Sequence, residues 1–243
     1  IITNKKKLGQ LKGNEFMVKT IVTSELIAKI AKKNDVEIFD EYTGFKWIAY
    51  RIRINEGVKK YIGGGEESFG FLPFDKVRDK DSPASICLIC EIAAWAKDNG
   101  MTLYDLLLQI YLDYGFQKEK AVSVVKPGKS GADEIKAMME NFRSNPPKEL
   151  GGSKVTVAKD FKTLKQTCMA TGNVSDIDMP ATSNVLQYFT EDGVKVSVRP
   201  SGTEPKIKFY CEVPAEMPTK ADYAAACAAA DEKLAKICAS LGI

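Results

Sequence analysis

Three short runs of this sequence concentrate side chains that can do chemistry. Residues 63 to 70 read GGGEESFG and follow a strand-like run ending in Tyr61 and Ile62. Glycines there let a ligand approach the backbone, while Glu66, Glu67 and Ser68 offer the acceptors and the donor that a polyol needs. A tight polar surface turn is the alternative reading of the same residues. The run is no dinucleotide fingerprint, because a GxGxxG register from Gly63 meets Ser68 where the last glycine belongs. Residues 199 to 206 read RPSGTEPK. Arg199 can hold a phosphate bidentately, Ser201 and Thr203 add hydroxyls, and consecutive amides around Gly202 can form an anion nest. A hairpin loop stopped by its prolines is the alternative. Residues 77 to 81 read VRDKD. In a closed cleft beside a sugar hydroxyl Lys80 could carry a proton; on an open surface it is simply a solvated cation between two acids. Asp79 and Asp81 lack a third oxygen ligand at a recognisable metal-binding spacing.

Lysine comes forward for proton transfer because the 243-residue chain contains no histidine. That excludes a Ser-His-Asp triad, a Cys-His pair and a histidine-ligated zinc within these residues. The 35 basic and 32 acidic side chains leave a net charge of only +3, too little for a nucleic-acid or anionic-membrane binder without local clustering. No run approaches the roughly 18 apolar residues of a membrane span and no secretory leader is recognisable, so a cytoplasmic protein with reduced thiols is expected. Cys87 and Cys90 form a CxxC, yet SICLICEIAAWA around them has helical apolar periodicity, which predicts core packing in place of redox or zinc work. The chain starts at Ile1 without an initiator methionine, followed by the basic run Lys5 to Lys7, and is expected to be a piece of a longer polypeptide.

Several elements must position these runs. Met17 to Val22 is β-branched, Thr23 or Ser24 can cap a helix, and Leu26, Ile27, Ile30 and Ala31 recur at helical spacing before Val36 to Phe39 returns to strand character. This βαβ start predicts an α/β layer. A turn at Thr43 and Gly44 leads into a helix through Trp47, Ile48 and Ile52 and then a strand. Ser85 to Lys97 and Thr102 to Tyr114 read as helices, and Phe116 to Val125 as a strand closing the first domain. Lys126 to Gly131 and Asn145 to Gly152 are rich in Pro, Gly, Ser and Lys, with a helix over Asp133 to Phe142 between them. The predicted organisation is an α/β domain over 1–127, a linker region with one helix over 128–152, and an α+β domain over 153–243. The last has strands at 155–157, 185–189, 194–198 and 207–213, a hairpin turn at Asp192 and Gly193, and an alanine-rich helix from Ala221 to Leu241 packed as core or interface.

TGFKW (43 to 47), GGGEESFG, VRDKD and RPSGTEPKIKFY (199 to 210), in this order, resemble the C-terminal half of the α-D-phosphohexomutase family, which includes phosphoglucomutase and phosphomannomutase. The resemblance covers nearly the whole chain and points to the third and fourth of the family's four domains: a mixed α/β sugar-recognition domain, then a small α+β domain with an antiparallel sheet and a C-terminal helix. It implies that Glu66 and Ser68 hydrogen-bond sugar hydroxyls, that Thr43 and Gly44 form a neighbouring sugar-binding turn, and that Lys80 assists proton transfer. Arg199, Ser201, Gly202 and Thr203 resemble the loop gripping the phosphate that does not react.

The same resemblance implies a mutase that moves a phosphoryl group between positions 1 and 6 of a hexose through a phosphoserine and a bisphosphorylated sugar. Mg²⁺ is expected to be bound outside this chain. The family's phosphoserine loop and DGDxDR metal loop are not found here, and Asp176 and Asp178 do not supply the latter. The expected partners are therefore a hexose phosphate and the N-terminal domains of the same polypeptide, with no nucleic acid and no membrane, and the chain alone is expected to be catalytically silent. A phosphopentomutase, a bisphosphate-synthesising relative and a free-standing sugar-phosphate binding module remain open.

Overall fold

The computed structural model describes residues 1–202 and 204–243. Its contacts divide into two units, Ile1–Gly115 with Pro218–Lys220, and Phe116–Met217 with Ala221–Ile243.

In the first unit a short helix α1 (Ile2–Lys7) precedes β1 (Glu15–Thr20), α2 (Glu25–Lys33), β2 (Glu37–Glu41), α3 (Phe45–Ile54), β3 (Lys60–Glu66), β4 (Gly70–Leu72), α4 (Ser82–Asp98) and α5 (Leu103–Tyr114). The cap expected at Thr23 or Ser24 is Ser24, and two further helices carry side-chain caps. Ser24 Oγ accepts the Leu26 amide at the head of α2, Asp81 Oδ1 accepts the Ala84 amide at the head of α4, and Thr102 and Asp105 form a reciprocal capping box on α5. The sheet runs β2-β1-β3-β4, with β1 parallel to both neighbours and β4 antiparallel to β3. Alternation along β1 sends Phe16 and Val18 to one face, where they pack with Tyr61, Leu72 and the α3 residues Phe45, Ile48 and Ile52. Met17 turns to the other face, beside Ala31, Val36 and Ile62. A strand covered on both faces favours a continuous apolar run, and β1 has one over residues 16 to 18. Among its buried polar residues is Lys19, fully buried between Asp40 Oδ1 at 2.7 Å and Glu25 Oε1 at 3.0 Å. Burial pulls its pKa down, but the two carboxylates outweigh it and the ammonium is held above its ordinary value.

The second unit comprises β5 (Phe116–Val125), α6 (Lys129–Ser144), β6 (Glu149–Leu150), β7 (Ser153–Asp160), β8 (Lys165–Cys168), β9 (Val174–Asp176), β10 (Leu186–Thr190), β11 (Lys195–Pro200), β12 (Lys206–Ala215), a single 3₁₀ turn and α7 (Tyr223–Leu241). The sheet order is β5-β12-β11-β10-β7-β8-β9, with antiparallel pairing throughout and β6 added to β7. On the face carrying Phe209 and Cys211, Phe142 of α6 meets Phe209 edge to face, with ring centroids 5.8 Å apart. The Cys211 thiol there is pushed up to about 12, chiefly by burial and next by its neighbour Cys238 on α7. Ala226, Ala230, Leu234 and Ile237 form the buried stripe of α7. On the opposite face Lys195 and Glu212 stand directly across β11 and β12, both buried, with Nζ 3.1 Å from the carboxylate.

The fold class is the expected one, but the division differs. Phe116–Val125, read as closing the first domain, pairs over its whole length with β12, from Phe116 against Ala215 to Val125 against Lys206. The helix assigned to a linker buries Ile135 and Met139 and belongs to the second unit. The boundary therefore falls at Gly115 and Phe116, not at 127 and 153. A strand's alternation is visible in sequence; its pairing partner, about ninety residues away, is not. Among the described residues no helix is long and apolar enough to cross a membrane.

Asp192 ties the β10–β11 hairpin to both β7 and α7. It accepts from Thr190 Oγ1 at 2.6 Å and Ser153 Oγ at 2.7 Å, and pairs with Lys233. Burial opposes ionisation, but these donors together hold the carboxyl down at about 2. The ionised group stabilises the fold fully above its unfolded pKa near 4, and that contribution disappears as pH falls through about 2. Asp192→Asn is expected to cost on the order of 1 kcal/mol at neutral pH, allowing for partial exposure, and to flatten stability between pH 4 and 2. Urea melts of both proteins across that window check it.

Candidate functional site

In an open parallel sheet, ligands bind beyond the carboxyl ends of the strands where the winding reverses. Here the chain passes from β1 through α2 to β2 on one side, then through α3 back to β3 on the other side. The reversal lies between β1 and β3, and side chains gather there. Thr23 Oγ1 donates to Glu67 Oε2 at 2.9 Å and Thr20 Oγ1 reaches the same oxygen at 3.3 Å, with the two hydroxyls 2.8 Å apart. The Gly44 amide, in the turn after β2, donates to Glu66 Oε1. Gly44 holds φ at 111°, a conformation that glycine adopts without penalty.

A cleft of about 280 Å³ opens at this end, lined among others by Met17, Ile27, Glu66, Glu67, Phe69 and Phe71. Phe69 stands fully exposed with φ at 63°, a rare conformation for an aromatic residue. Ser68 is exposed in the turn after β3 and has no hydrogen-bond partner among the described residues. The structure thus brings Gly44 to Glu66, with Thr43 and Ser68 as their chain neighbours, while Thr43 and Ser68 do not line the cleft itself. Glu66 is not wholly available, since one carboxylate oxygen is engaged by Gly44. Thr20 and Thr23 were invisible as site residues in the sequence. Only the strand order carries them to Glu67.

The glycines have a different role from the one expected. Gly63 to Glu66 continue β3, and only Glu67 to Phe69 form a turn. A Cβ on Gly64 would lie 2.3 Å from the Val18 carbonyl oxygen, and one on Gly65 would lie 2.4 Å from that of Gly70. The run is glycine-rich because backbones pass too close for side chains, a contact that carries β3 on to Glu66.

VRDKD is surface throughout. Lys80 is 60% exposed, 3.0 Å from Asp79 Oδ1, with its ammonium 5.6 Å from the Phe45 ring centre. The hydrogen bond from the Lys80 side chain is the first cause holding the Asp79 carboxyl below its usual range. Arg78 pairs with Glu56, and Asp81 is spent on the α4 cap. Cys87 and Cys90 are both exposed, so the helix is present but the core packing expected for them is not.

In the second unit RPSGTEPK runs from the end of β11 through the β11–β12 loop to the start of β12. It is closed by the Ser201 amide donating to the Lys206 carbonyl at 2.7 Å and buttressed by the Lys126 amide on the Pro205 carbonyl at 2.9 Å. Thr203, expected in the phosphate grip, lies outside the described residues. Arg199 has no hydrogen-bond or ion-pair partner among the described residues and stands directly across the strands from Lys208. Like charges opposite one another destabilise a sheet unless an anion joins them. Lys208 was missed in the sequence because its place opposite Arg199 depends on hairpin register. Gly202 is exposed, and a Cβ there would meet nothing within 4 Å.

Sequence profiles of known families match both units. Residues 1–114 match "Phosphoglucomutase/phosphomannomutase, alpha/beta/alpha domain III" and residues 124–230 match the C-terminal domain of the same family. The phosphoglucomutase of Staphylococcus aureus strain MRSA252 is 40% identical over 197 residues, covering 81% of this chain and 35% of the relative. That of Staphylococcus haemolyticus is 35% identical over 198 residues, 82% of this chain and 36% of the relative. The chain thus spans about a third of the length of these curated relatives. Two solved structures share the fold. Open-form pp63/parafusin, a phosphoglucomutase from Paramecium, has TM-score 0.56 at 18% identity, covering 93% of this chain and 38% of that one. A phosphoglucomutase/phosphomannomutase family protein from Burkholderia thailandensis has TM-score 0.55 at 13% identity, covering 98% and 40%.

The two glycine environments predict opposite outcomes. Gly64→Ala should cost more than about 3 kcal/mol, because its new methyl meets backbone that cannot swing aside. Gly202→Ala should leave stability within about 0.5 kcal/mol of the parent and act only on anion binding. Thermal melts of both variants, with a phosphate titration of the second, check this.

Proposed function

The chain belongs to the phosphoglucomutase/phosphomannomutase family, and on that premise we propose that it is the substrate-recognition part of a mutase acting on a hexose phosphate. The observation that carries the reading is the Gly44–Glu66 hydrogen bond at the winding reversal, which holds a carboxylate with one oxygen free two residues before the exposed hydroxyl of Ser68. Glu66 would accept from sugar hydroxyls and Ser68 would donate to or accept from them, with Thr43 alongside. Arg199 and Lys208, with Ser201, Gly202 and Thr203, would hold the phosphate that stays in place, through charge-assisted hydrogen bonds. A polyol contact and an anion contact are the two things a hexose phosphate needs. The polyol contacts suit several orientations of a sugar, so the same groups could serve both half-reactions.

In this reading the phosphoryl group passes from a phosphoserine to one sugar hydroxyl and, after the bisphosphate turns over, back from the other position. Lys80 stands on the open surface paired with Asp79, so a part for it in moving the hydroxyl proton would need a further domain to close a cleft over it. The serine is not among the motifs of this chain. Nor do the residues present fit a resident Mg²⁺: among the described residues no three Asp, Glu or Cys side chains converge to hold one. No step through a metal is therefore assigned here, and the chain by itself is expected to be inactive.

The test is a titration of ¹⁵N-labelled chain with inorganic phosphate, glucose and glucose 1-phosphate. Phosphate alone should shift the amides of Ser201 and Gly202, and Arg199→Ala should weaken that binding about tenfold, one lost charge-assisted contact. Glucose 1-phosphate should additionally shift residues 64 to 68. Shifts confined to other regions would sink the assignment.

A further inference from the structure

Phe69 combines two costs that a folded chain normally avoids. Its side chain is fully exposed, and its backbone holds φ at 63°, a left-handed conformation that an aromatic residue rarely adopts. The turn is fixed on both sides of it. Before it, Glu67 is pinned by the hydroxyls of Thr20 and Thr23. After it, Gly70 pairs with Glu66 at the start of β4, packed so tightly that a Cβ there would collide with the Phe45 ring. Nothing in these contacts calls for a ring at position 69, because a glycine would take the same φ without penalty. An aromatic residue held there against its own preference is accounted for by what it does for a ligand.

The ring lines the same cleft as Glu66, about 280 Å³ in volume, and its neighbours there include Met17, Ile27 and Phe71. The cleft thus offers an apolar lining together with a carboxylate. A pyranose has the matching asymmetry, since its equatorial hydroxyls point outward from the ring edge and its C–H groups cover the two faces. Water solvates those faces poorly, so a flat aromatic surface is a better partner for them than solvent is. We propose that Phe69 is a specificity-determining residue whose ring stacks on a C–H face of the hexose while Glu66 takes its hydroxyls. The inference rests on the proposed function for the presence of a sugar phosphate at this end of the sheet. What it adds is selection of the closed ring: an open-chain polyol phosphate offers similar hydroxyls and the same phosphate but no continuous C–H face.

The experiment follows the amides of residues 64 to 68 in the ¹⁵N-labelled chain as glucose 1-phosphate or sorbitol 6-phosphate is added. It compares the parent with Phe69→Leu, Phe69→Tyr and Phe69→Gly. Leucine keeps apolar bulk without a flat face, tyrosine keeps the ring, and glycine removes the side chain. Phe69→Leu and Phe69→Gly are expected to raise the Kd for glucose 1-phosphate about fivefold, and Phe69→Tyr to stay within about twofold of the parent. None of the three should move the Kd for sorbitol 6-phosphate by more than about twofold. Phe69→Gly is expected to melt at or above the temperature of the parent, because left-handed strain goes and no packing is lost. Equal affinity of the parent and Phe69→Leu for glucose 1-phosphate overturns the proposal. So does a loss in Phe69→Tyr as large as in Phe69→Gly, an equal loss for both ligands, or a melting temperature that falls in Phe69→Gly. The two readings fail separately. Shifts at residues 64 to 68 that survive every substitution unchanged refute the role of Phe69 and leave the sugar site standing, whereas no shift there in the parent with either ligand refutes the sugar site and the role of Phe69 with it.

Discussion

The first unit depends on backbones passing closer than any side chain permits. Val18 of β1 and Gly70 of β4 press their carbonyl oxygens into the space where Gly64 and Gly65 have no Cβ. This contact carries β3 four residues beyond Ile62 and delivers Glu66 to the strand end. It also lets β4 fold back within three residues, fixed by the Tyr61 hydroxyl on the Leu72 carbonyl at 2.9 Å. Burial, and next the charge of Asp75, pushes that phenol far above its ordinary range, so it stays a neutral donor. The turn over residues 67 to 69 is thus anchored where backbones meet without side chains between them.

Around that anchor, partial charges are arranged without waste. Glu67 is taken up by two threonine hydroxyls and one oxygen of Glu66 by a backbone amide, whereas Ser68 between their strand and the next has no partner among the described residues. Polar groups satisfied internally define position, and those left over define what can bind. The second unit repeats the division. Glu204 and Lys206 satisfy each other in the β11–β12 loop, and Arg199 is left facing Lys208.

Much of this was legible in the sequence, for physical reasons that also mark where legibility stopped. The helix cap at Ser24 is local chemistry and fell where expected. The four ordered motifs pointed to the family, which the matching profiles bear out. What failed was long-range. The ten residues of β5 have a partner strand about ninety residues away, and α6, framed by Pro and Gly, looked like a linker although Ile135 and Met139 are core. The polar strands β8 and β9 lack the apolar alternation by which a strand is recognised. Thr20, Thr23 and Lys208 joined their sites through strand order and register alone. Cys87 and Cys90 erred the other way, since an apolar helical period announces burial without saying against what.

Lys195 and Glu212 face each other across β11 and β12, on either side of the loop that carries Arg199. A slip of one residue would send each to the other face of the sheet and leave two buried charges without each other, a cost far above that of a misplaced surface pair. The pair therefore works as an alignment pin for a hairpin whose tip is otherwise free to vary. Residues at the tip can be exchanged, lengthened or shortened over generations while the strands return to the same register. Sequence can drift at that tip without the domain having to solve its folding problem again.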